Sequence, residues 1–174
     1  MTSEQNHQLL IMRHAKSDWN VQYSRDFDRP LSKRGLSNAE MMGQWLSDSG
    51  LIPDRVVSSP ARRAEQTSAL VLKTMKLDQI KVIRDERIYE AGLGDLLKVI
   101  DEHREEAQRL LLVGHNPGMD SLVQYLAMNK PQTTLSGKLM TTAAIAVLDY
   151  GDGAISTNDR SATLVELMRP KELP

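Results

Sequence analysis

The chain has 174 residues, 40% of them hydrophobic and 26% charged, and a formal net charge of −1, the make-up of an ordinary globular protein with material for a substantial core. That balance excludes the broad basic footprint of non-specific nucleic-acid binding. The absence of cysteine excludes disulfides, thiolate metal sites and cysteine-nucleophile chemistry, cysteine-dependent phosphatases included.

The opening stretch, MTSEQNHQLLIM, is polar apart from one short apolar run, which does not fit a secretory signal. No later segment approaches the roughly 20 apolar residues of a membrane span. The expectation is one domain over residues 1–174, cytoplasmic, with no membrane or nucleic-acid partner. LLIM (9–12) reads as a buried strand. A helix is expected over 36–50, where Leu36, Ala39, Met42 and Leu46 recur at helical spacing and Gly50 reads as the stop. RVVSS (55–59) reads as a second strand, followed after Pro60 by a helix through ARRAEQTSALVLKTM. KVIRDERIY (81–89) reads as a weaker extended segment, with a helix over 93–107 after it. RLLLVG (109–114) is a buried strand and MDSLVQYLA a helix. AAIAVLDY and ATLVELM are β-like and joined by the turn-rich GDGAISTND. Continuous apolar strands alternating with helices imply an α/β three-layer sandwich: a mostly parallel central sheet, helices on both faces, and an antiparallel edge strand from the last pair.

In such sheets ligands bind beyond the carboxyl ends of the strands. LLIM is followed there by Arg13 and His14, RVV by Ser58, Ser59 and then Arg62 and Arg63, and LLLVG by His115 and Asn116. Two of the chain's four histidines and at least two arginines thus converge on one sheet edge. Clustered guanidinium groups call for an anion, and their forked geometry fits phosphate oxygens two at a time. A histidine among arginines is disfavoured in its protonated form and can act as a neutral nucleophile toward phosphorus. The arginines would then stabilise the transferring phosphoryl group.

RHAKSDWN (13–20) resembles the opening signature of the histidine phosphatase superfamily. DRPLSKRG (28–35) is similar to that family's lead into its first helix, SSPARRAEQT (58–67) to its second motif, and LVGHNPG (112–118) to its third. These lie in family order, and TTAAIAVLDY further on is also similar. Alanine after His14, the phrase GHNPG and the small size resemble the SixA-like phosphohistidine phosphatase branch, whose fold is that of the phosphoglycerate mutases without their long substrate-covering insertions. The resemblance implies His14 as nucleophile, Arg13 and Arg63 as phosphoryl clamps and His115 as the group that stabilises transfer, with Arg62 a solvated neighbour. It further implies Ser17, Asn20 and Asn116 near the phosphate, and Glu90 in RIYEAG at the position of a general acid. That position varies in this branch, so Glu90 is equally read as an exposed residue. Phosphohistidine makes an acid less necessary, because imidazole leaves more readily than an alkoxide.

The implied activity is a metal-independent phosphatase with no cofactor, acting on phosphohistidine-bearing protein and releasing inorganic phosphate. A general small-molecule phosphomonoesterase and a non-catalytic phosphate or phosphopeptide sensor are the alternatives. His7 and His103 lie in polar surroundings, and Lys16, Lys33 and Arg34 read as a solvated rim that could also attract an acidic partner. DFDRP imitates the double-aspartate motif of aspartyl-phosphate phosphatases, but no apolar strand precedes it.

Overall fold

The computed structural model describes residues 6–174, so the first five residues of the N-terminal reading lie outside it. Six strands form one sheet: β1 (Gln8–Arg13), β2 (Arg55–Ser58), β3 (Ile83–Arg84), β4 (Arg109–Gly114), β5 (Ile145–Asp149) and β6 (Thr163–Met168), in the order β3-β2-β4-β1-β5-β6. β3, β2, β4 and β1 run parallel; β5 is antiparallel to both β1 and β6. The antiparallel strand is therefore one place in from the edge, which β6 occupies.

Alternation along the strands builds two cores. Leu9 and Ile11 of β1, with Leu110 and Leu112 of β4, face α3 (Leu93–His103) and α4 (Gly118–Leu126), meeting Leu96, Ile100, Met119 and Leu122. Leu10 and Met12, with Leu111 and Val113, face α1 (Lys33–Asp48) and α2 (Arg62–Thr74), meeting Ala39, Met42, Leu46 and Val71. Strands buried on both faces explain the unbroken apolar runs in the sequence.

The buried stripe of α1 is Gly35, Ala39, Met42, Gly43 and Leu46, while Leu36, expected to share it, is 37% exposed. The rotation follows from how the helix starts. Ser32 caps it by accepting from Gly35 N (3.1 Å), and the Ser32 N–H and Oγ–H both donate to the Lys16 carbonyl (2.9 and 3.1 Å). The helix is thereby docked on the loop after His14, and a Cβ on Gly35 would overlap the Lys16 carbonyl oxygen. Because that atom is backbone, the overlap is not relieved by a rotamer change. Gly35→Ala is expected to destabilise the protein by about 2–3 kcal/mol in denaturant titration; a loss below about 0.5 kcal/mol would show that the docking is loose.

The extended segment expected over 81–89 shrinks to the two residues of β3. Asp85 ends it by accepting from the Arg87 N–H (3.0 Å), which starts a 3-10 turn over Glu86–Ile88 and swings Tyr89 toward the strand ends. Gly50 stops α1 as expected, at φ +67°. No helix of the described residues is long and apolar enough to cross a membrane.

Candidate active site

The pairing register brings the site together. Arg13 of β1 is the direct partner of Gly114 of β4, so the residues that follow, His14 and His115, leave the sheet side by side; His14 N donates to Gly114 O at 3.0 Å. Their ring centroids are 5.0 Å apart. Ser58 of β2 pairs with Val113, and Ser59 N donates to Val113 O at 3.0 Å, which brings Ser59 against His115 in turn.

His14 is 7% exposed, and its Nδ1 lies 2.7 Å from the Ala15 carbonyl. A carbonyl only accepts, so the proton sits on Nδ1 and Nε2 keeps its lone pair. The loop carrying it is tied to α2: the Ala15 N–H donates to Thr67 Oγ1 (3.0 Å), whose hydroxyl donates to Arg63 O (2.6 Å). Nucleophile and clamp are thus braced by one threonine.

His115 Nε2 lies 2.7 Å from Ser59 Oγ, which also accepts from Ala61 N (3.2 Å). Where Ser59 gives its hydrogen to Nε2, the His115 proton sits on Nδ1; in the other tautomer Nε2 donates to Ser59 Oγ. Nδ1 is buried and without a partner, as are Arg13 Nε and Arg63 Nε. Two buried guanidinium donors and a facing imidazole nitrogen, all without partners, form a cradle that an oxyanion would complete.

Burial is the main reason both imidazoles are poor bases. The His14 pKa is lowered to about 3, chiefly by burial against a raising hydrogen bond to Ala15, with lesser contributions from the charges of His115, Arg63 and Arg13. His115 is lowered to about 4, again by burial first, then by Arg63, against the opposing charge of Asp26. The direction matches the sequence reading, but its leading cause is desolvation and not the arginines. In an NMR titration the His14 ring signals are expected to move with a midpoint near pH 3; a midpoint near the ordinary value of about 6.5 would contradict the burial described. Because folding depresses both values, the stability the two groups confer is complete above about pH 6.5 and declines as pH falls toward 4 and 3. The slope is at most about 1.4 kcal/mol per pH unit for each histidine.

Arg63 is buried and Arg62 exposed, as the motif match implies. The Arg63 Nη1 donates to the Asp26 carbonyl (2.8 Å) and Nη2 to Asp26 Oδ2 (3.0 Å), so aspartate and turn together aim the fork. Asp26 also pairs with Arg29 Nη2 (3.1 Å) and accepts from Tyr89 OH (2.9 Å). Although burial opposes it, the Tyr89 hydrogen bond and the arginine charges hold its carboxyl below the usual range. Tyr89 packs edge-on against His115 with centroids 5.6 Å apart, and Arg29 lies 3.4 Å from the centroid of the exposed Trp19 ring.

The sequence carries no role for Asp26, Tyr89 or Arg29, and places Ser59 only at a strand end. Asp26 lies in DFDRP, which imitates another motif, and Arg29 lies also in DRPLSKRG, the lead into the first helix.

Other expected residues are placed differently. Arg13 Nη1 donates to Met140 O (3.0 Å), and Asn116 bridges the same carbonyl (2.9 Å) to the start of α4, where its Oδ1 accepts from Asp120 N (3.2 Å). Ser17 is buried in a bridge with Leu31, without a side-chain hydrogen bond among the described residues. Asn20 is exposed, its N–H donating to Asp18 Oδ1 (2.8 Å). Glu90 is exposed, its backbone in the left-handed region at φ 55°. Away from the site, Asp85, Glu102 and His103 could together reach a cation, but Arg87 already bridges the two carboxylates at 2.6 Å each.

The profile of the histidine phosphatase superfamily (branch 1) matches residues 9–105, and the chain belongs to that superfamily. An uncharacterised protein of Mycobacterium tuberculosis strain H37Rv is 36% identical over 135 residues, 78% of this chain and 76% of its own. The 2,3-bisphosphoglycerate-dependent phosphoglycerate mutase of Methylorubrum populi is 34% identical over 90 residues, 51% of this chain but 42% of the mutase. The match thus spans less than half of the mutase. Among solved structures, the protein histidine phosphatase SixA complexed with tungstate is similar over 96% of this chain and 99% of its own, at 27% identity and a TM-score of 0.78. Phosphoglycerate mutase from Bacillus anthracis shares the fold at a TM-score of 0.67, over 90% of this chain and 94% of its own, with 19% identity.

Proposed function

We propose that this protein is a metal-independent phosphohistidine phosphatase that forms a covalent phosphohistidine on His14. The observation that carries this reading is the bare Nε2 of His14, fixed by the 2.7 Å bond from Nδ1 to Ala15 O and facing His115 across 5.0 Å. In the first step Nε2 attacks phosphorus and the bond from phosphorus to the substrate nitrogen breaks; the departing imidazole keeps the bonding pair and leaves neutral, its other ring nitrogen carrying a proton. Arg13, Arg63 and the His115 Nδ1–H hold the three equatorial oxygens as charge spreads over them. Water then attacks phosphorus, releases inorganic phosphate and restores neutral His14. Glu90, which makes no ion pair among the described residues, is the proton donor for leaving groups that require one; imidazole requires it least. Ser17 is buried against Leu31 and Asn20 is exposed, so neither is assigned a phosphate contact, and Asn116 acts by fixing the Met140 carbonyl beside Arg13.

Similarity to SixA over nearly its whole length supports a protein substrate. A small phosphate ester is the second reading, favoured by similarity to the mutase over residues that include the same motifs. Rapid quench after mixing with a labelled phosphoryl donor should leave acid-labile, alkali-stable label on His14. Phosphate binding with neither label nor turnover would leave a sensor instead. The competing substrates are separated by comparing kcat/KM for a phosphohistidine protein with that for phosphoserine peptides and sugar phosphates.

A further inference from the structure

Beside the phosphoryl site lies a cleft of about 430 Å³ that shares Arg13 with it. Besides Arg169, four separate stretches of chain contribute its other cations: Lys16 from the loop after β1, Arg34 from the first turn of α1, Lys138 from the segment before β5, and Lys171 from the turn after β6. All four are exposed and make no ion pair among the described residues. The acid on its wall, Glu172, is already held by Arg169 Nη1 at 2.8 Å. Asp120, whose charge also acts on Arg13, is turned to Met140 N at 2.9 Å.

The wall itself is rigid. Arg169 is 6% exposed and donates from Nε to Leu139 O (2.9 Å) and from Nη2 to Gln132 O (2.7 Å). These bonds hold the Lys138 segment against the end of β6. Thr134, Thr141 and Thr142 add hydroxyl donors between the cations. On a chain of net charge −1, so many cations in one cleft repel one another unless an anion joins them, and a concave wall focuses their field. Lys16 and Arg34, read from the sequence as a solvated rim, both line this cleft.

We propose that this cleft is a second oxyanion subsite. Resting on the phosphatase reading, it holds a carboxylate or phosphate of the substrate that is not transferred, while the scissile phosphoryl group lies between Arg13, His14, Arg63 and His115. Lysine and arginine on flexible stems suit such an anchor, since it demands charge more than fixed geometry.

Two substrate pairs test it, each differing only in the second anion. One is a phosphohistidine peptide with one flanking glutamate against the same peptide with glutamine there; the other is 3-phosphoglycerate against glycerol 3-phosphate. The wild type should prefer the anion-rich member of a pair, and the pair in which it does so identifies the source. The triple variant Arg34→Gln/Lys138→Gln/Lys171→Gln should lower that ratio of kcat/KM about tenfold, and added salt should lower it in the wild type. Turnover with no preference in either pair, or a preference that survives the triple substitution, overturns the subsite and leaves the phosphatase reading standing. No turnover of any of the four by the wild type sinks that reading and the subsite with it.

Discussion

His14→Ala is expected to lower turnover by about 10⁴-fold or more, because removing a nucleophile removes the covalent route and not merely one contact. Phosphate affinity should survive, since Arg13, Arg63 and His115 keep the donors that face the anion. The two measurements separate chemistry from binding, and phosphorylation of the protein should vanish with turnover. The substitution also deletes a buried imidazole that folding keeps neutral. The variant should therefore lose less stability than the wild type as pH falls below about 6.5. A variant that retains turnover within about tenfold of the wild type would remove His14 from its assigned role.

Arg63→Lys should cost about 10²–10³-fold in kcat/KM. Lysine keeps the charge but not the fork that two bonds to Asp26, at 2.8 and 3.0 Å, now aim. Lysine at this buried position could also disturb the fold, so thermal melts must accompany the kinetics. Asp26→Asn is the sharper companion: the guanidinium stays, its brace weakens, and the expected loss is smaller but falls on the same step. If Arg63→Lys matched the wild type with its fold intact, the clamp would have to be Arg13 alone.

Legibility in the sequence followed from locality. Apolar strands that stop abruptly at Arg13–His14 and Gly114–His115 announce themselves, because the pattern of burial and the residue that breaks it are neighbours in the chain. Arg63 was told from Arg62 by the motif resemblance alone, and its burial agrees with that choice. What depended on which residues oppose one another was not visible. The Asp26 brace joins positions 37 residues apart, and the Tyr89 bond to Asp26 spans 63. Leu36 looked like a core residue by spacing, yet Gly35 faces inward because the Lys16 carbonyl occupies that space.

By itself, then, the chain determined the α/β layering, the two histidines and the phosphate-seeking arginines, since hydrophobic periodicity and strand-end chemistry are properties of consecutive residues. Only the tertiary structure decided the leading cause of their neutrality, which is burial more than the neighbouring arginines. It alone also decided the aim of Arg63 and the assembly of a cationic cleft from four distant stretches. Desolvation and convergence arise from packing in three dimensions, and spacing along one dimension does not encode them.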